Sequence, residues 1–166
     1  MSMHSITRTS LLAGLVAAAA LSAPNAARAD QYLQNGSGLC KSALPVYDGN
    51  IRNRPQSIGN EGTANAYVSC STLDHQGGAN SVAGVWLHNT TGAAVDVNCT
   101  MSTQNLADGA AYFSKTGNVP AGGNNYLLWT TADNGGNNFS KQPNFSCLLP
   151  PGVQLWFVTY QTTTNL

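Results

Sequence analysis

Polar and apolar residues alternate through most of the chain from Ala64 onward, which predicts strands rather than helices. In ANAYVSCS, Ala64, Ala66, Val68 and Cys70 share one face, and Asn65, Tyr67 and Ser69 share the other. In SVAGVWLHN, Ala83, Val85 and Leu87 stand opposite Val82, Trp86 and His88. AVDVNCTM turns Val95, Val97, Cys99 and Met101 inward, and Asp96, Asn98 and Thr100 outward. NYLLWTT, NFSCLL and VQLWFVTYQ predict three further strands, and LPVYDGNIR a short strand, a turn and the start of another. Past the N-terminal apolar run, no stretch keeps the three-and-four spacing of an amphipathic helix.

Clusters of Gly, Asn, Asp and Pro interrupt the alternation at DHQGGAN, HNTTGAA, KTGNVPAGG, TADNGGNN and LPPG. About seven to nine short strands separated by such turns predict an all-β fold, an antiparallel β-sandwich or jelly-roll-like barrel. Gln34 to Asn60 is the least regular part, with Pro45 and Pro55 restricting its use in central strands. One feature is doubled: Gly122-Gly123-Asn124-Asn125 leads into Tyr126, and Gly135-Gly136-Asn137-Asn138 into Phe139. Gly and Asn reach positive φ cheaply, so the two copies read as turns at opposite ends of one strand.

The N-terminus changes the picture of where the domain works. Arg8, the apolar run from Leu11 to Ala23 and Ala27-Arg28-Ala29 have the layout of an alanine-rich bacterial export leader, expected to span residues 1–29. Residues 30–166 are then a single domain of secreted or periplasmic destination, with no membrane span, because the apolar run is too short to cross a bilayer. Of seven basic residues, Arg8 and Arg28 belong to the leader, leaving five against seven acids. So little positive charge excludes a phosphate-neutralising surface, and no nucleic-acid partner is expected. Four cysteines, Cys40, Cys70, Cys99 and Cys147, contain no CxxC pair and point to disulfides rather than a metal. Of three connectivities, the pairing Cys99–Cys147 with Cys40–Cys70 is preferred, since VNC and FSC put two cysteines on apolar faces of separate strands.

Candidate chemistry is sparse. Asp74-His75 invites a hydrolytic reading, but no GxSxG elbow accompanies it, and adjacent side chains diverge on an extended backbone. The carboxylates Asp48, Glu61, Asp74, Asp96, Asp108 and Asp133 include no evident pair for glycoside cleavage; most adjoin Gly or Asn in turns. Asp133 to Asn138 superficially resembles a calcium loop, but Gly135 and Asn144 stand where ligands are needed. No metal and no cofactor are expected. The aromatics carry more. Trp156 and Tyr160 are read as lying opposite the Val153–Leu155–Phe157 face, Tyr67 opposite Val68 and Cys70, and Trp86 beside His88. With Trp129 they form the candidate ligand-binding set, because flat rings rimmed by amides suit stacking on sugars; the competing expectation is that they fill the core.

A further series of motifs runs through the chain. Gly49-Asn50-Ile51-Arg52-Asn53 precedes V-x-C at Val68–Cys70, V-x-V-x-C at Val95–Cys99 and F-x-C-x-L-P-P-G at Phe145–Gly152, which leads into a strand with Tyr160. From Tyr47 to Tyr160 this resembles a loose group of secreted bacterial β-sandwich proteins of unknown function, with Ser71 standing where the group would have proline. The resemblance implies fold, export and disulfide-bearing strands, and no catalytic residues can be carried over from a group of unknown activity. The resulting expectation is a non-enzymatic, exported binding or surface-interaction module with glycan or another cell-surface ligand as partner. Alternatives are a secreted hydrolase with an unrecognised site, or a structural, self-associating or protein-binding envelope protein. The sequence does not indicate an oligomeric state.

Overall fold

The computed structural model describes residues 29–73, 79–105, 109–140 and 142–163. Among them are eleven strands: β1 (Ala29–Asn35), β2 (Cys40–Ser42), β3 (Ile51–Asn53), β4 (Ile58–Asn60), β5 (Ala66–Ser71), β6 (Ala79–Asn89), β7 (Val95–Asn105), β8 (Gly109–Val119), β9 (Asn124–Thr130), β10 (Asn144–Leu149) and β11 (Val153–Thr163). They form two antiparallel sheets. One runs β3-β4-β11-β6-β9, with β1 pairing the same side of β11 further along; the other runs β2-β5-β10-β7-β8. This is the expected β-sandwich. A single helical turn, α1 (Gly36–Leu39), carries the chain from β1 in the first sheet to β2 in the second.

The core lies where the inner faces meet, and alternation decides its membership. Val68 and Cys70 of β5, Val97, Cys99 and Met101 of β7, and Phe145, Cys147 and Leu149 of β10 are buried from the second sheet. Facing them are Ala83, Val85 and Leu87 of β6, Leu127 and Trp129 of β9, and Leu155, Val158 and Tyr160 of β11. Each disulfide joins a registered cross-strand pair inside the second sheet: Cys40–Cys70 links β2 to β5, and Cys99–Cys147 links β7 to β10. The preferred connectivity is the one present. No helix among the described residues is long and apolar enough to cross a membrane.

One side chain clasps the sheet edges together. Lys115 of β8 donates to the Leu128 carbonyl of β9 at 2.6 Å and pairs with Asp133 at 2.9 Å. Asp133 also accepts the Thr130 backbone N–H at 2.8 Å in a capping box. That backbone bond, then the Lys115 ammonium, holds the Asp133 carboxyl below its usual range. Asp133, first residue of the stretch that superficially resembles a calcium loop, is therefore a cap and an ion-pair partner. No cluster of three metal-ligating side chains occurs among the described residues.

Several expectations change. The strands outnumber the expected seven to nine, because KTGNV, read as turn, is the end of β8, and QYLQN forms β1. β8 is an edge strand with most of its residues exposed, so its polar, glycine-containing sequence lacks the apolar half of the alternation. Ala64 is exposed and precedes β5 rather than joining its inner face. The doubled motif does flank one strand: Gly122 (φ 59°) turns β8 into β9, and Gly135 (φ 61°) and Gly136 (φ 87°) turn the chain after a 3₁₀ turn at Thr131–Asn134. Asn124 and Asn125, however, already belong to β9. Residues 1–28 of the expected leader, with Asp74, His75 and Asp108, lie outside the described residues, and Ala29 begins β1.

Candidate functional site

The outer face of the first sheet can be built from the register alone. Across β9, β6, β11 and β1, Tyr126 pairs with Trp86, Trp86 with Phe157, and Phe157 with Asn35. The next row toward the N-terminal end of β6 is Leu128, Gly84, Thr159 and Leu33. On the other side, Asn124, His88, Gln154, Gly59 and Arg52 form a polar row reaching β4 and β3. An aromatic row is thus flanked by a row of amides and basic groups.

The aromatic row depends on an irregularity. The ladder between β11 and β6 shifts register between Leu155 and Phe157, so Trp156 is a bulge residue with no partner of its own on β6. The bulge inverts the parity of β11. Val153 and Leu155 point inward before it, Val158 and Tyr160 point inward after it, and Trp156 and Phe157 are both left outside. Without the extra residue, Phe157 would be a core side chain.

Local contacts hold the rings. Trp86 and Tyr126 have centroids 5.5 Å apart with planes tilted by 46°. Trp156 meets Phe157 edge-on at 6.4 Å and lies 4.9 Å from the His88 ring. Its indole N–H donates to Gln154 Oε1 at 2.8 Å, and His88 Nδ1 donates to Asn124 Oδ1 at 2.7 Å. Trp86 is 37% exposed and Leu33 62%. With Gln31, Leu33, Tyr126 and Phe157, the two tryptophans line a shallow, largely apolar cleft of about 270 Å³. Burial raises the Tyr126 phenol above its ordinary pKa, and hydrogen bonding with Thr159 acts in the opposite direction. Tyr126 therefore stays protonated through the physiological range.

Gly84 makes room for this arrangement. A Cβ there would lie 2.8 Å from the Leu127 carbonyl oxygen, 3.0 Å from Leu128 Cδ2 and 3.3 Å from the Tyr126 ring. Gly84→Ala is expected to cost about 1–3 kcal/mol and to displace Tyr126. Urea unfolding and the near-ultraviolet circular dichroism of the aromatics check this; wild-type values in both would refute it.

The five sequence candidates separate into three groups. Trp86 and Trp156 stand together on the outer face of the first sheet. Tyr67 is exposed but on the outer face of the second sheet, beside Tyr47 at 6.0 Å, and cannot join them. Trp129 and Tyr160 are corrections: both are buried, at 0% and 3% exposure. Trp129 occupies the inward parity of β9 with Leu127, and the β11 bulge turns Tyr160 inward to stack on Tyr32 at 5.0 Å. Sequence reasoning missed Tyr126, Phe157, Leu33 and Gln31. His88, the other histidine beyond the expected leader, bonds an amide rather than a carboxylate. Glu61 pairs with Arg54, and Asp96 accepts from Asn118 at 2.8 Å.

No protein-family model and no curated protein matches the chain. Solved structures do. A xylan-binding module, CBM15, superposes with a TM-score of 0.53 at 8% identity, covering 84% of this chain and all of the other. The C-terminal CBM6 of a marine laminarinase from Zobellia galactanivorans gives 0.43 at 9% identity over 80% of this chain and 99% of its own. TmCBM61 in complex with β-1,4-galactotriose gives 0.39 at 11% identity over 81% and 88%. The first of these places the chain in the same β-sandwich architecture.

Proposed function

We propose that this protein is a non-catalytic glycan-binding module that holds its ligand against the outer face of the first sheet. The observation that carries the reading is the cross-strand row Tyr126–Trp86–Phe157, joined by Trp156 and bordered by Asn35, Gln154, His88 and Asn124. Pyranose rings offer flat C–H faces to aromatic planes and hydroxyls to amides at the rim, and this face supplies both in adjacent rows. The architecture shared with a xylan-binding module is in keeping with the reading. Two disulfides suit an oxidising destination, the periplasm or the cell exterior.

The test is affinity electrophoresis and pull-down of the oxidised protein on a panel of soluble and insoluble polysaccharides. Trp86→Ala and Trp156→Ala are each expected to weaken retention about tenfold or more, as truncation of a central aromatic anchor does. Tyr67→Ala, on the opposite sheet, is expected to bind like wild type. Absence of retention on every polysaccharide, or wild-type binding by both tryptophan variants, would sink the proposal.

A further inference from the structure

The aromatic cleft does not stand alone on its face. Trp156 is shared with a second cleft of about 300 Å³, bounded by the Arg54–Ser57 turn and Gln154. Arg54 and Gln154 are shared in turn with a third, of about 310 Å³, whose other walls include Glu61, Thr90 and Gly152. We infer that these three form one continuous binding path, and that its occupant is a neutral, unbranched oligosaccharide lying across the strands. This rests on the aromatic-face reading and adds to it a length and a charge for the ligand.

Length follows from the strand order. From Tyr126 on β9 to Arg54 just past β3 the path crosses β6, β11 and β4. Four steps of about 4.8 Å make about 19 Å, the reach of about four extended sugar units.

Charge follows from the third cleft. Arg54 Nε donates to Glu61 Oε1 at 2.8 Å, and Nη2 contacts the same oxygen. The two side chains are 58% and 42% exposed, so the pair is screened by water and contributes little, about 0–1 kcal/mol. It can therefore rearrange around a ligand at small cost. Guanidinium only donates and carboxylate only accepts, while each sugar hydroxyl does both, so the pair matches neighbouring hydroxyls. A sugar carboxylate would have to approach Arg54 against the charge of Glu61. Arg52, the nearby second cation, is turned to the Asp48 and Ile51 carbonyls at 3.0 and 3.1 Å. Gln154 stands between the clefts with Oε1 occupied by Trp156 and, at 3.4 Å, by the Ser57 hydroxyl. That leaves its amide N–H groups as the donors for the path.

Calorimetric titration with xylose and cellobiose-series β-1,4-oligomers of two to six units, and with hexagalacturonate, tests this. The ratio of dimer to hexamer Kd is expected to be at least about tenfold, the gain of a second set of contacts. Arg54→Ala is expected to reduce that ratio below about threefold, and Glu61→Gln to reduce it in the same direction, with thermal unfolding verifying that each variant is folded. A ratio near one in the wild type, an unchanged ratio in both variants, or tighter binding of hexagalacturonate than of any neutral hexamer overturns the inference and leaves the aromatic-face reading standing. If no oligomer binds and the polysaccharide panel also fails, the aromatic-face reading falls first and takes this one with it.

Discussion

Replacing Cys99 and Cys147 together by alanine is expected to lower the unfolding free energy by about 4 kcal/mol, the chain-entropy value for a bridge closing a loop of this size. The bridge spans 48 residues and joins registered neighbours on β7 and β10, both fully buried. In the unfolded chain it removes the conformations in which these two strands are far apart; in the folded chain the strands are already in contact. The Cys40–Cys70 bridge spans 30 residues and is expected to contribute only about 0.4 kcal/mol less on the same basis. The serine pair at 99 and 147 is the informative contrast. Two hydroxyls would replace buried sulfurs in an apolar interior, adding a desolvation cost of about 1–3 kcal/mol for each one left unpaired. Urea unfolding of wild type, the alanine pair and the serine pair should rank them in that order of decreasing stability. A loss below about 1 kcal/mol for the alanine pair would contradict the bridge's role in this entropy argument.

Trp129→Ala should be comparably damaging, at about 3–5 kcal/mol. The indole is fully buried on β9, packs against Phe145 of the opposite sheet at 5.5 Å, and lies under the Lys115 ammonium at 6.0 Å. Its removal empties the interface between the sheets beside the β8–β9 edge, where Phe145 and the Lys115 stem would have to move to refill it. Trp129→Phe should be much milder. The indole N–H has no acceptor among the described residues, so phenylalanine loses volume but also relieves a buried, unmet donor. Chemical denaturation of the two variants distinguishes these expectations; equal losses would mean that ring volume does not govern this position. Trp86→Ala on the open face serves as the comparison, and its stability should change far less than its binding.

These two tryptophans illustrate what the sequence could and could not convey. In YLLWTT both parities are apolar, so alternation alone does not say whether Trp129 or Leu128 faces inward. The answer comes from the register against β6, where Ala83 opposite Trp129 is on the buried side. Tyr160 departs from the alternation for a different reason. The one-residue bulge before Phe157 resets the alternation of β11, and nothing in VQLWFVTYQ marks the step. The same bulge hid Phe157 from the site, while Tyr126, Leu33 and Gln31 were hidden because cross-strand neighbours come from pairing rather than from proximity in sequence. Where strands are long and one-sided, as around Val97-Asn98-Cys99 and Phe145-Ser146-Cys147, alternation was enough to place the cysteines and to support their pairing. The sandwich class was legible for that reason. The edge strand β8 was not, since a strand without an apolar face lacks the signal that identifies the others.

Both bridges lie within the second sheet, and each links strands that are already neighbours there. Neither crosses to the first sheet, whose outer face carries the aromatic row. A polymer pulling on that row loads a layer joined to its cross-linked partner by side-chain packing, by the Lys115 contacts with Leu128 and Asp133, and by the chain connections between the sheets. Hydrogen bonds such as Asn60 to the Leu149 carbonyl and Asn125 to the Asn118 carbonyl add to these. No disulfide therefore carries load between the two layers. Tension on the gripping sheet is borne across that plane by the connecting chain and by non-covalent contacts, Trp129 against Phe145 among them.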